Sequence, residues 1–231
     1  MVTTESNKRP SKAEQQALVH ELVQKITTQP DDYQAYYELT VLLTAGQDYE
    51  QAEALAMKAL GLFNHQPKAN NLLSYALGNV YYQAEDYDRA LTTYQKITDP
   101  KLQADAYLMM GQTLMAKKDY QHALVWALTA QEAQPELPAA NLLVANILLA
   151  LGNNQQAYDY YQKVIKLDPA QGAAYFNAGL TAMVLGKPYA NLFVTAKKVD
   201  ATYFKQHQQQ LSDIEKMLAA QSGSADESAK S

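Results

Sequence analysis

Residues 141–169 read NLLVANILLALGNNQQAYDYYQKVIKLDP, and the two halves of this stretch have different characters. The first is an apolar run in which a small residue, Ala145, follows Val144 and Leu148 comes next on the same face. The second carries Ala157 and Tyr161 and stops at Pro169. Proline cannot continue a preceding helix, and it biases its predecessor away from helical angles. The stretch therefore reads as two helices and a stop. The apolar run from Asn141 to Leu151 is about half of the roughly 20 residues needed to cross a bilayer, which makes it core rather than membrane span.

The pattern recurs along the chain. Segments ending in a small residue are QDYEQA at Ala52, EDYDRA at Ala90, KDYQHA at Ala123 and NNQQA at Ala157, giving steps of 38, 33 and 34. A second register holds upstream, in Leu77-Gly78, Met110-Gly111, Val144-Ala145 and Ala178-Gly179, with steps of 33, 34 and 34. Small residues at this spacing imply helices that cross closely. A mid-helix Gly is about 1 kcal/mol worse than Ala, so its recurrence points to packing. Pro30, Pro135 and Pro169 close three units, and the loop Asn64-His65-Gln66-Pro67 accounts for the long first step.

These residues resemble the tetratricopeptide-repeat family, whose pattern is W-x2-L-G-x2-Y, then A-x3-F, then P. The second unit supplies Ser74, Leu77, Gly78, Tyr81, Ala90 and Tyr94; the third supplies Tyr107, Met110, Gly111, Leu114, Ala123, Ala127 and Pro135. The first unit departs at Thr40, where Gly is usual, and the fifth (Tyr175, Ala178, Gly179, Ala182) loses the pattern after Pro188. The resemblance runs from about Pro30 to Val199. It implies an all-α fold, a right-handed superhelical solenoid of antiparallel helix pairs.

The expected organisation is an N-terminal half-repeat over 11–30, repeats near 33–67, 68–100, 101–137 and 138–171, and a degenerate fifth over 172–202. Leu18, Leu22 and Ile26 form the apolar stripe of the first helix. Tyr203, Phe204, His207, Leu211, Ile214 and Leu218 mark a helix over 203–220 that either caps the array or lies in its groove. Residues 1–10 and the Ser-, Ala- and charge-rich tail 221–231 have too little to bury and are expected to lack structure.

Composition narrows the function. A net charge of -5 disfavours a nucleic-acid partner, since Lys8, Arg9 and Lys12 form the only basic cluster. The absence of cysteine fits the cytoplasm, the N-terminus lacks the apolar run of a signal peptide, and no direct membrane insertion is expected. His20, His65, His122 and His207 fall in separate units without metal-ligand spacing, so no metal site is expected. Asp31/Asp32 and Asp86/Asp88 read as helix caps. No phosphate loop, GxSxG elbow or HExxH helix occurs, and the expectation is a non-enzyme without cofactor.

In the resembled family, first helices line a concave groove that holds a peptide. Registering each unit on its small pair gives Tyr37, Val41 and Thr44, then Tyr75, Asn79 and Tyr82, then Leu108, Gln112 and Met115. The fourth unit gives Leu142, Asn146 and Leu149, and the fifth Phe176, Asn177 and Met183. The resemblance assigns Asn146 and Asn177 to the bound peptide's backbone; the alternative is that they satisfy neighbouring helix groups. Lysines that would grip a terminal carboxylate are absent, with Tyr37, Tyr75, Leu108, Leu142 and Phe176 at those positions. The expected function is a protein-interaction adaptor for an apolar peptide or helix segment. Two alternatives are a self-associating assembly and a peptide-sensing regulator. About ten residues precede the first helix, fewer than the effector domain of related repeat regulators, which argues against the last.

Overall fold

The computed structural model describes residues 12–228. The expected unstructured N-terminus, residues 1–10, lies outside that range, as do residues 229–231. Among the described residues every regular element is a helix. In chain order they are α1 (Lys12–Thr28), α2 (Tyr33–Ala45), α3 (Tyr49–Leu62), α4 (Pro67–Gln83), α5 (Tyr87–Tyr94) and α6 (Pro100–Ala116). There follow α7 (Tyr120–Ala133), α8 (Pro138–Ala150), α9 (Asn154–Leu167), α10 (Gly172–Val184), α11 (Ala190–Val199) and α12 (Ala201–Ser228). The contacts form two compact units, and the division falls inside α6 between Thr113 and Leu114.

In the first unit α2 packs on α3 and α4, α3 on α4, and α4 on α5, with α1 laid against α2. Alanine sets the closeness of these contacts. Ala52, Ala56 and Ala59 of α3 are fully buried, and Tyr36, Phe63 and Leu73 cluster with Ala59. The Phe63 ring meets Tyr36 and Tyr33 edge-on at 5.6 and 6.0 Å. In α1 the inward face is Gln15, Val19, Leu22 and Ile26, so the expected stripe is shifted at its start: Leu18 stays 43% exposed.

The turns inside the helix pairs share one geometry. The residues with positive φ are Gln47 (64°), Glu85 (60°), Lys118 (62°), Gly152 (78°) and Gly186 (66°), at steps of 38, 33, 34 and 34. After each, a backbone N–H reaches back to the first helix: Asp48 to Leu43 O (2.9 Å) and Asp86 to Tyr81 O (2.8 Å) in the first unit, Asn153 to Leu148 O (2.9 Å) in the second. These left-handed closures satisfy carbonyls that the helix end leaves orphaned. Carboxylates then cap the helices that follow a turn. Asp32 accepts from the backbone N–H groups of Gln34 and Ala35, Asp86 from that of Arg89.

In the second unit α7 packs on α8, α8 on α9, α9 on α10 and α10 on α11. The helix α12 lies against both α10 and α11. Its backbone is helical to Ser228, eight residues past the expected end at Ala220, so most of the tail expected to lack structure continues the helix. Tyr203, Phe204, Leu211 and Ile214 of α12 pack on a buried cluster of Phe176, Leu180, Met183, Phe193 and Ala196.

Candidate functional site

Within the first unit, α2 and α4 bring their first-helix positions to the wall of one cavity of about 700 Å³, with α6 contributing from the other side. Of the residues expected to face a groove, Val41, Thr44, Tyr75, Asn79, Tyr82 and Gln112 line it. Spacing explains their convergence. Tyr75, Asn79 and Tyr82 stand at i, i+4 and i+7 of α4, one face of an α-helix.

Eight further residues that the repeat register does not pick out complete the wall: Gln15 of α1, Leu42 and Ala45 of α2, Gln47 of the following turn, Tyr49 at the start of α3, Ala76 and Gln83 of α4, and Met109 of α6. A signal for Tyr49 existed in the recurring Asp-Tyr of QDYEQA, EDYDRA and KDYQHA. No lining residue is Asp, Glu, Lys or Arg. The wall instead combines tyrosine rings, aliphatic groups and the carboxamides of Gln15, Gln47, Asn79, Gln83 and Gln112. Val41 is 42% exposed, so an apolar side chain stands open to a ligand.

Tyr36 and Tyr81 are buried while their neighbours Tyr37 and Tyr82 are half-buried, so each pair divides between core and surface. Tyr37, however, packs on the Phe63 cluster and is not a lining residue of the cavity. Leu108 is half-buried and likewise outside the lining, where its neighbour Met109 takes the place.

Two tyrosines hold two of the asparagines from behind. The Tyr94 hydroxyl donates to Asn79 Oδ1 at 2.7 Å, and the Tyr161 hydroxyl donates to Asn146 Oδ1 at 2.8 Å. Burial pushes both phenols far above their ordinary range, and it raises Tyr75 to about 12. All three remain protonated donors at any physiological pH.

In the second unit Asn177 Nδ2 donates to Asn146 Oδ1 at 3.4 Å. The Asn177 amide also lies beside the hydroxyls of Tyr161 and Tyr203, where it opposes the upward push of burial on both phenols. Of the two asparagines assigned by resemblance to a peptide backbone, both thus engage neighbouring helices here. Leu142, Leu149 and Met115 are half-buried.

Phe176 and Met183 do not stand on an open face. They are 0% and 5% exposed, which corrects the expectation from the register. The Phe176 ring meets Phe193, Tyr203 and Phe204 edge-on at 5.5, 5.9 and 5.6 Å, so α11 and α12 cover it. The His207 ring stacks on Tyr203 at 3.9 Å and also borders Phe176.

The remaining titratable groups act in local structure. Arg89 bonds Glu53 and Asp86, each at 2.6 Å, and lies 4.3 Å over the Tyr81 ring. Asp119 accepts from the His122 ring and backbone. Among the described residues no group of three or more His, Cys, Asp or Glu could hold a metal ion, and no helix is long and apolar enough to cross a membrane.

Comparison with known proteins agrees with the helix pairs. Residues 75–138 and 138–171 each match a family described as tetratricopeptide repeat. Among solved structures, YrrB, described as a TPR protein with an unusual peptide-binding site, superposes with a TM-score of 0.59 at 22% identity, covering 83% of this chain and 99% of that one. Yeast Tom70 gives a TM-score of 0.69 at 18% identity over 93% of this chain and 45% of its own. A MamA protein gives 0.60 at 19% identity over 75% and 94%. At these identities the likeness is one of fold. A curated human relative, Protein O-mannosyl-transferase TMTC2, is 28% identical over 102 residues, 42% of this chain. The match spans only 12% of that protein's length, so the transferase activity in its name does not carry over.

Proposed function

Because this chain is a tetratricopeptide-repeat protein, we propose that it is a protein-interaction scaffold whose first-unit cavity holds an uncharged, apolar segment of another polypeptide in extended form. The observation that carries this reading is the composition of the cavity wall, with three tyrosines, five carboxamides and no charged side chain. Its volume of about 700 Å³ falls in the usual range of ligand sites, roughly 300–1,000 Å³.

The carboxamides favour an extended occupant over a helix. A helix satisfies its own backbone groups, and would bury the carboxamides of Gln47 and Gln112 and the Nδ2 of Asn79 without a ligand partner, at roughly 1–3 kcal/mol for each unsatisfied group. An extended segment brings one free donor and one free acceptor per residue, which carboxamides can match in either sense. Affinity then comes from apolar side chains set against Val41, Leu42 and Met109 and between the tyrosine rings. The absence of lining charge argues against acidic or basic tails, whose ions would be desolvated without a counter-charge. The cysteine-free sequence supports the cytoplasm as the setting.

An array of synthetic peptides graded in charge and hydropathy, probed with the intact chain and with Tyr82→Ala, tests the proposal. Retention of uncharged apolar peptides that the variant loses supports it. Retention of acidic or basic peptides alone, or equal retention by the variant, overturns it.

A further inference from the structure

Resting on that reading of the cavity, we propose that Tyr94 is a positioning residue: its hydroxyl holds Asn79 Oδ1, turning the amide nitrogen to the cavity so that this wall receives a ligand's carbonyl oxygen.

The orientation follows from what each group can do. Tyr94 is almost wholly buried, and its phenol must donate to an acceptor or remain unsatisfied. An amide nitrogen cannot accept, so the oxygen of Asn79 faces Tyr94, at 2.7 Å. Asn79 lines the cavity, and with its oxygen held by Tyr94 its Nδ2 is left for that side. The cavity wall thus presents Asn79 as a donor, fixed by a buried residue that is not part of the lining.

The chain contains its own controls. Asn146 and Tyr161 repeat the pair at the same separation of 15 residues, with the same polarity. In the third unit Ala127 stands 15 residues after Gln112, so where the tyrosine is missing the asparagine gives way to the longer carboxamide of glutamine. In the fifth, Phe193 covers Gly179 as Tyr94 covers Gly78, and the residue after that glycine is Leu180. A ring without a hydroxyl is accompanied by a side chain without an amide. The asparagine therefore goes with the phenol behind it, and its outward nitrogen is the group left for recognition. Carboxylates share the acceptor chemistry, but the cavity offers them no cation, so a neutral carbonyl is the ligand group that fits.

Two-dimensional NMR of the full chain titrated with N,N-dimethylacetamide, a carbonyl acceptor lacking any N–H, tests this directly. Acetate serves as the charged comparison. The Asn79 side-chain N–H signals should shift saturably with dimethylacetamide and less with acetate. Tyr94→Phe, which keeps the ring over Gly78, should retain the melting temperature within a few degrees yet weaken the probe about fivefold, one hydrogen bond's worth. Equal probe affinity in Tyr94→Phe, unmoved Asn79 signals, or a stronger response to acetate would overturn the assignment. Failure of the peptide array beside a positive probe result would remove the peptide reading and leave the role of Tyr94 standing.

Discussion

The ring of Tyr94 lies directly over Gly78, so that a β-carbon on Gly78 would stand 2.7 Å from Tyr94 Cδ1 and closer still to Cε1. The glycine admits the ring, and the ring's hydroxyl then reaches Asn79. Gly179 bears the same relation to Phe193, with 2.7 Å to Cε1. Gly78→Ala should destabilise the chain by about 1–3 kcal/mol through overpacking, despite the roughly 1 kcal/mol that Ala gains in helix propensity. Urea unfolding checks this; a neutral or stabilising effect would mean that Tyr94 moves aside freely.

The repeated turn offers a gain. Gln47, Glu85 and Lys118 hold the left-handed conformation that Gly152 and Gly186 adopt elsewhere in the chain. A non-glycine residue there is strained by roughly 1–2 kcal/mol, of which glycine's backbone entropy returns part. Gln47→Gly, Glu85→Gly and Lys118→Gly should each raise stability by about 0.5–1 kcal/mol, and Gly152→Ala should lower it by about as much. Thermal unfolding of the four variants decides the sign.

Acid should weaken the fold in a narrow window. Hydrogen bonds from Lys25, Arg89 and His122 hold Asp32, Asp86 and Asp119 below their ordinary value of 3.8. A depressed carboxylate contributes stability that is complete above its unfolded value and is lost as pH falls through its folded one. The melting temperature should therefore fall as pH drops below about 4, and the fall should be shallower in Asp86→Asn. A curve of the same slope in that variant would show that Asp86 contributes nothing to the acid limb.

The sequence carried the fold through its small residues. Gly78 and Gly179 recur because a facing aromatic ring leaves no room for a β-carbon, Ala145 is the small residue at the same step, and that constraint is visible as a period. The shared turn was hidden, since only two of its five left-handed positions are glycine. Six expected positions, including Thr44, line the first-unit cavity, because helical spacing alone decides which side chains of α4 share a face. Tyr49 and Gln15 were missed because they come from a second-helix start and from α1, which the first-helix register does not cover. Phe176 and Met183 were misplaced for a related reason. A register identifies equivalent positions, but α10 and α11 are followed by the single helix α12 and not by another helix pair among the described residues. Here α12 supplies the cover, and positions that would line a groove elsewhere become core.

That cover has a measurable consequence. Ending the chain after Val199 would expose Phe176 and Phe193, and replacing Phe176 by Ala removes the hub of the cluster, at about 3–5 kcal/mol. Both changes should lower the second unit's unfolding midpoint. An unchanged midpoint in the truncated chain would mean that α12 lies on a surface the fold does not need to bury.

The most direct measurement is the affinity, by fluorescence anisotropy, of the best uncharged array peptide for the intact chain and for Val41→Asp at low and high salt. A charge on the exposed wall of an apolar, uncharged site should weaken binding at least tenfold, with the intact chain's affinity nearly independent of salt. Affinity unchanged by Val41→Asp, or falling steeply with salt in the intact chain, would contradict binding of an uncharged segment in this cavity.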